Sequence, residues 1–275
     1  MVIYGDYTRQ REIIDCTIEE NMPKILERYQ QIERSIITTY RKTIWSPFVL
    51  AVKKYRLIDA GDKIAVCISG GKDSMLLAKL MQELHRHSEV PFELVFLVMD
   101  PGYNAENRKR IEENAALLRV PITVFESDIF EVATLVGGDS PCYLCARMRR
   151  GHLYAKAKEL GCNKIALGHH LQDVVETFFL SLLYEGRLST MKPKSYMSNS
   201  QITLIRPLFL THEKTIRAVS KDFPVKKSKC PADTDSKRQD IEKLIDGINE
   251  LIPDSKKRIE SAIILTDSYN LLDKE

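Results

Sequence analysis

No stretch of this 275-residue chain approaches the roughly eighteen consecutive apolar residues of a membrane span, so a transmembrane class is excluded. Residues 1–20 mix acids and bases and hold no apolar h-region, so no secretory signal is expected and the expected location is the cytoplasm, away from any membrane. Internal repeats and low-complexity tracts are absent as well. Cysteine is sparse, at positions 16, 67, 142, 145, 162 and 230, and in a cytosolic chain such residues read as metal or redox ligands before disulfides. With 44% hydrophobic and 29% charged residues the composition is that of an ordinary globular protein. This length suits one α/β domain with an appendage or two small domains.

Also missing is the G-x-x-x-x-G-K-[ST] spacing of a Walker A loop. In its place the apolar run 64–68 breaks into Ser69-Gly70-Gly71-Lys72-Asp73-Ser74 and then a helical pattern. Two adjacent glycines let the backbone bend and bring bare N–H groups up to an anion, and a helix starting near Asp73 adds its positive dipole end. The hexapeptide reads as a phosphate cradle. It resembles the PP-loop of the adenine-nucleotide alpha hydrolase superfamily, whose members cleave ATP between the α and β phosphates.

Residues 1–60 read as a helical N-terminal region, with Ile25, Tyr29, Ile32, Ile36 and Ile37 recurring at three and four residues. This face is expected to pack on the core or on a second copy of the chain, which makes a homodimer one candidate assembly. From 61 to 230 short branched runs (64–68, 92–99, 122–125, 164–167) alternate with stretches of helical length, the pattern of a parallel sheet flanked by helices. The expected fold class is α/β of Rossmann-like type with helical appendages at both ends. Its ligand site is expected at the carboxyl ends of the strands, which gathers the phosphate loop, the Asp100-Pro101-Gly102-Tyr103 turn and the Gly168-His169-His170 turn. Residues 187–199 read as a polar connection. Residues 231–275 read as a helical C-terminal region, with Ile241, Leu244, Ile245, Ile248 and Leu251 at helical spacing.

Charge is small overall, net +3, but residues 141–230 alone carry +10. A block of that kind is the electrostatic footprint of a surface that meets a polyanion, and a solvated lysine-rich face is the bland alternative. Cys142-Tyr143-Leu144-Cys145 opens a helix running to about Leu160, an arrangement shared by redox pairs, zinc sites and iron–sulfur sites. Cys230, before Pro231, is the third candidate ligand. A zinc site would take its fourth ligand from His152, His169 or His170. Cys67 and Cys162 read as core or surface thiols. In 168–177, Asp173, Glu176 and Thr177 cluster with the two histidines on the first turns of a helix.

Taken together, the phosphate loop, PCYLCARMRRG (141–151), IALGHHLQDVVET (165–177), IRPL (205–208) and CPADTDSKRQ (230–239) stand in the order found in the TtcA family, the tRNA 2-thiocytidine synthetases, which this chain resembles over about residues 45–240. The resemblance implies a PP-loop fold, ATP with Mg²⁺, and a [4Fe–4S] cluster on three cysteines, here Cys142, Cys145 and Cys230. It also implies tRNA as partner and a sulfur donor such as a cysteine desulfurase. Three features depart from the family pattern. Cys230 stands alone where a second C-x-x-C is usual, His170-Leu171-Gln172-Asp173 has glutamine for one of two aspartates, and the C-terminal part is shorter and more acidic.

On this reading Ser69, Gly70, Gly71, Lys72, Asp73 and Ser74 hold the phosphates, with Asp73 the candidate for Mg²⁺. Asp100 and Gly168 adjoin the adenosine, Arg206 neutralises phosphate charge, and His169 and Asp173 complete the pocket. The cytidine is adenylated and its activated position then takes sulfur. Arg147, Arg149, Arg150, Lys192, Lys194, Lys226, Lys227 and Lys229 are expected on RNA phosphates. Two rival readings are a zinc-stabilised RNA-binding protein on the same fold and ATP-dependent sulfur transfer to a small molecule.

Overall fold

A computed structural model of the chain describes residues 26–127, 129, 141–221 and 237–265. Its strands are β1 (Lys63–Ile68), β2 (Glu93–Asp100), β3 (Ile122–Glu126), β4 (Lys164–Ala166), β5 (Lys194–Met197) and β6 (Ile202–Ile205). Among the described residues the α-helices are α1 (Arg28–Ile37), α2 (Ser46–Lys54), α3 (Lys72–His87), α4 (Ala105–Leu117), α5 (Pro141–Glu159), α6 (Leu171–Glu185), α7 (Glu213–Val219), α8 (Lys237–Leu251) and α9 (Ser255–Ile264), with a π-helical turn at Arg41–Trp45. None is long and apolar enough to cross a membrane.

β1 is buried at every residue after its first, as a strand covered on both faces must be. It pairs in parallel with β2 on one side and β4 on the other. β3 and β6 extend the sheet in parallel, and β5 closes one edge antiparallel to β6, giving the order β3-β2-β1-β4-β6-β5. The expected parallel sheet therefore stands, with one strand added. β5 falls inside the stretch read as a polar connection. With only four residues, two of them Lys194 and Ser195, it has too few apolar positions to show alternation. What makes it a strand is its hairpin partner, which aligns Tyr196 with Thr203.

The two-residue period of β1 sorts its side chains into two cores. Ile64, Val66 and Ile68 face a cluster built with Met75, Leu76 and Leu80 of α3, Ile111 of α4 and Ile216 of α7. Ala65 and Cys67 face the other way, onto Ala157 and Leu153 of α5. The N-terminal helices join the first core through Ile32, Ile36 and Phe48, as the isoleucine spacing requires. Residues 1–25, with Cys16 and Ile25, lie outside the described residues. At the C-terminal end Ile241 and Ile245 of α8 and Ile259 of α9 pack on Val175 and Phe179 of α6. Leu251 of the same expected stripe is 83% exposed.

One buried charge fastens α1 to α3. The Lys79 ammonium is fully buried; it meets Glu33 Oε1 at 2.5 Å and donates to Gln82 Oε1 and the Leu118 carbonyl, both at 2.9 Å. Arg86 reaches the same Glu33 oxygen at 3.0 Å. Burial pulls the Lys79 pKa down, and Glu33 works against that pull.

Removing one partner of such a pair strands the other charge in the core. Glu33→Gln is expected to lower the unfolding free energy by about 3 kcal/mol in urea titrations, and Glu33→Leu with Lys79→Met to recover most of the loss. A single variant as stable as the parent would show that the pair is not a fastening.

Candidate nucleotide site at the carboxyl edge of the sheet

Strand order reverses at β1: β2 lies on one side and β4 on the other, so the crevice between their following loops is where an α/β sheet places a ligand. The loop after β1 turns at Gly70, whose φ is +81°, and a Cβ there would lie 2.6 Å from Ile111 Cγ1. The position admits only glycine on both counts. The loop is braced from within. The Ser69 N–H donates to Ser74 Oγ at 3.1 Å, and the Ser74 hydroxyl donates to the Gly71 carbonyl at 3.0 Å. Gly71 caps α3, leaving the first N–H groups of that helix without intrahelical acceptors.

The loop after β4 presses against this same helix end. A Cβ on Gly168 would stand 3.2 Å from Asp73 C and Ser74 N, so the two backbones touch where a side chain would keep them apart. His170 then caps α6, its own N–H donating to Asp173 Oδ2 at 3.0 Å. His170 Nε2 lies 3.5 Å from that oxygen and 3.8 Å from Asp73 Oδ1. Two helix N-termini, α3 and α6, thus converge on one crevice with an acid in the first turn of each.

Lys72 is held by two carboxylates, Asp73 Oδ2 at 3.0 Å and Glu213 Oε1 at 3.1 Å. Burial opposes its charge, but those carboxylates outweigh it and raise its pKa. Glu213 in turn accepts from Arg217 Nε at 2.9 Å. On the other flank Arg238 of α8 reaches Asp173 Oδ1 at 2.7 Å and Glu176 Oε2 at 3.4 Å. Burial pushes Glu176 up to about 7, against the pull of Arg238. Burial likewise pushes His169 down to about 4, against the pull of Asp173. Arg206, whose pKa burial also lowers, donates to the Lys192 carbonyl at 2.6 Å.

Asp100, buried at the end of β2, turns inward to its own loop: Oδ1 accepts from the N–H groups of Gly102 at 3.0 Å and Tyr103 at 2.6 Å. It shapes the loop that adjoins the crevice. Arg149 of α5 donates to the Tyr103 hydroxyl at 3.2 Å, which ties the first half of α5 to this edge. A 19-residue helix spans about 28 Å. Because α5 descends to the start of β4, its first turn, with Cys142 and the half-buried Cys145, stands at the carboxyl edge. Cys230 lies outside the described residues. Cys67 and Cys162 are buried together in the core, and burial pushes the Cys67 thiol up to about 12.

Among the described residues, buried side-chain atoms with no hydrogen-bond partner are Asp73 Oδ1, His169 Nδ1, His170 Nδ1, Thr177 Oγ1, Arg206 Nε and Thr211 Oγ1. Those of Asp73, His169, His170 and Arg206 belong to this edge. Unsatisfied buried polar atoms are costly and rare, and their concentration marks a surface built to be satisfied by something else. A phosphate group with its cation fits that set, since the acceptor Asp73 suits a metal ion and the donor Arg206 an anion. Sequence reasoning assembled the loops but missed three residues. Ile111 and Glu213 carry no local signal. Arg238 lies in a noted motif, yet its partners are distant in sequence.

The model of the PP-loop domain family matches residues 41–237. The tRNA-cytidine(32) 2-sulfurtransferase of Alkalilimnicola ehrlichii is 38% identical over 230 residues, 82% of this chain and 73% of its own length. That of Syntrophotalea carbinolica is 37% identical over 232 residues, 81% of this chain and 88% of its own. Among solved structures, the U34-tRNA thiolase NcsA from Methanococcus maripaludis with its [4Fe-4S] cluster aligns with a TM-score of 0.65 at 20% identity, covering 84% of this chain and 80% of that one, a likeness of fold.

Gly70→Ala combines left-handed strain with a clash on Ile111, and is expected to cost about 2–4 kcal/mol in thermal unfolding and to abolish ATP binding measured by calorimetry. Unchanged melting and affinity would contradict the tight fit.

The two perturbed groups act on stability in opposite directions. His169 is depressed, so its contribution is complete above the ordinary 6.5 and is lost as pH falls toward 4. Glu176 is raised, so its contribution is complete below the ordinary 4.5 and is lost as pH rises through about 7. In melts between pH 4 and 8, His169→Gln is expected to flatten the acid limb and Glu176→Gln to raise the melting temperature at pH 8 by a few degrees. Curves parallel to the parent's would rule out these shifts.

Proposed function

We propose a function on the ground that the chain belongs to the PP-loop domain family and, within it, to the tRNA-cytidine(32) 2-sulfurtransferases: it uses ATP to activate a cytidine of tRNA and exchanges the 2-oxygen for sulfur. The observation that carries this reading is the convergence of the unsatisfied atoms of Asp73, His169, His170 and Arg206 on the Gly70–Gly168 crevice.

ATP binds with its phosphates along the loop 69–74, where helix-end N–H groups and Lys72 meet the β and γ groups. Lys72 exchanges its carboxylate partners for phosphate oxygens as the nucleotide enters. Asp73 would hold Mg²⁺, which when bound offsets the charge that grows on the departing pyrophosphate. Gly168 leaves room for the nucleoside, and the loop shaped by Asp100 flanks it. The base attacks through its 2-oxygen at the α-phosphorus, the bond to pyrophosphate breaks, and an O-adenylated base results. His169, neutral at physiological pH because burial holds its pKa near 4, adds no positive charge there. Sulfur at the hydrosulfide level then bonds to C2, the C2–O bond breaks, and AMP leaves carrying the original oxygen.

Cys142, Cys145 and Cys230 would hold a [4Fe–4S] cluster; bound, it supplies one iron without a cysteine ligand on which a sulfur atom can be carried. Supporting this assignment are the spacing of the first two cysteines within one turn and the arrival of that turn at the nucleotide edge. The sulfur comes as a persulfide from a donor of the cysteine desulfurase class, and a thiol reductant supplies the two electrons that bring it to the sulfide level.

Incubation of tRNA with the anaerobically purified chain, ATP, Mg²⁺, L-cysteine, a desulfurase and dithiothreitol, followed by digestion and mass spectrometry, is expected to yield 2-thiocytidine. Cys142→Ala, Cys145→Ala and Cys230→Ala are each expected to lower that yield more than a hundredfold while tRNA-dependent pyrophosphate release persists, whereas Asp73→Asn loses both. Stoichiometric zinc with no sulfide, and no thionucleoside from the parent chain, would overturn the proposal in favour of a zinc-supported RNA-binding protein.

A further inference from the structure

We propose that the groove between α5 and the β5–β6 hairpin is the seat of an unpaired RNA strand flanking the target base, an inference that rests on the reading of the substrate as tRNA. Arg147, Arg150, Tyr154 and Lys158 recur at three- and four-residue steps and so form one stripe along α5. Across from them run Met197 of the edge strand and Asn199 of its turn, with Tyr196 at the rim, and no acidic side chain lines the groove. Arg147 and Arg150 are exposed, and neither is in an ion pair among the described residues. Neighbouring cations are differently engaged: Lys156 pairs with Glu159, and Arg149 donates to Tyr103.

The aromatic component separates this groove from a merely basic face. Tyr196 is 64% exposed on the edge strand; its pairing with Thr203 sets the ring on the sheet face away from α5, so the ring stands at the open edge that bounds the groove. Cations that follow a phosphate backbone, together with a rigid ring on which a base can stack, are the two elements of single-strand recognition. A duplex would satisfy the arginines but leave the ring unused.

The groove leads to the nucleotide site. Arg149, on the same helix as Arg147 and Arg150, donates to Tyr103 of the loop after β2, and the first turn of that helix stands at the carboxyl edge. A strand lying on α5 and running toward its first turn therefore reaches the carboxyl edge, where its next base meets the pocket of His169 and Asp173. The excess of positive charge between residues 141 and 230 thus has a specific structural use in one helix face.

Fluorescence anisotropy with the full chain, unmodified tRNA and an unstructured RNA oligonucleotide, each across a salt series, tests the assignment. Arg147→Ala with Arg150→Ala is expected to weaken both RNAs roughly tenfold and to reduce the salt slope by about 1.4, near 0.7 for each single-strand phosphate that the protein no longer neutralises. Tyr196→Ala is expected to weaken binding about tenfold with the slope unchanged, and Tyr196→Phe to retain the parent affinity. Lys109→Ala, on the opposite side of the sheet, is the control, and ATP binding measured without RNA stays constant throughout. Groove variants within twofold of the parent, or a loss matched by the control, would overturn the proposal and leave the groove to a protein partner. Groove-dependent RNA binding by a chain that makes no thionucleoside would uphold the groove and reject the assigned reaction.

Discussion

The contact on which the site depends is the approach of Gly168 to the backbone of Asp73 and Ser74, so close that a Cβ at 3.2 Å would push the two backbones apart by a few tenths of an ångström. Adjacent parallel strands set the starts of α3 and α6 near each other, and the missing Cβ lets them close on one crevice. Two helix N-termini facing one space raise the local positive potential, and each helix carries an aspartate in its first turn that offsets part of it. The buried His170 stands between the two carboxylates, 3.8 Å and 3.5 Å away. The crevice is therefore electrostatically balanced without an anion, yet rich in groups that bind one.

The opposite edge of the sheet shows how different a purely structural solution is. Lys164 is as deeply buried as the site residues, but its ammonium is fully engaged by the Leu57 carbonyl, Asp59 Oδ2 and Asp62 Oδ2 at 3.0, 2.7 and 2.6 Å. Asn163 closes the set by donating to Asp62 Oδ1. Lys79 is similarly satisfied between α1 and α3. Among the described residues, the unpaired buried side-chain atoms include those of Asp73, His169 and His170 at the crevice and none of the groups around Lys164 or Lys79. That contrast, within one molecule, makes the unsatisfied atoms a property of the site and not a general looseness of packing.

Much of this arrangement is legible in the residues themselves. The branched runs announce the parallel strands, the double glycine announces the cradle, and the rule placing ligands at carboxyl edges brings the Gly168 turn to it before any contact is seen. What escapes is whatever depends on partners remote in sequence. Glu213 reads as an ordinary first-turn acid until α7 is packed beside Lys72. Ile111 reads as one apolar residue of an otherwise polar helix, although it is the atom set that forbids a side chain at position 70. β5 escapes for a related reason, since a four-residue edge strand draws its conformation from its neighbour.

The partners of Lys72 and Asp173 bear on how the nucleotide enters. Glu213 occupies Lys72 from α7, and Arg238 occupies Asp173 and Glu176 from α8, so both faces of the crevice are engaged by elements outside the loops that line it. An arriving phosphate competes with Glu213 for a lysine that is already charged, so the exchange costs little proton movement. Release of Glu213 leaves it with Arg217, four residues along the same helix, and its charge stays compensated. On the other face Arg238 holds Asp173 in the cap of α6 and is itself positioned by the packing of α8 on Val175. The C-terminal helices thereby act on the chemistry indirectly, by fixing the first turn of α6, and a loosening of that small apolar contact reaches the crevice through one guanidinium group.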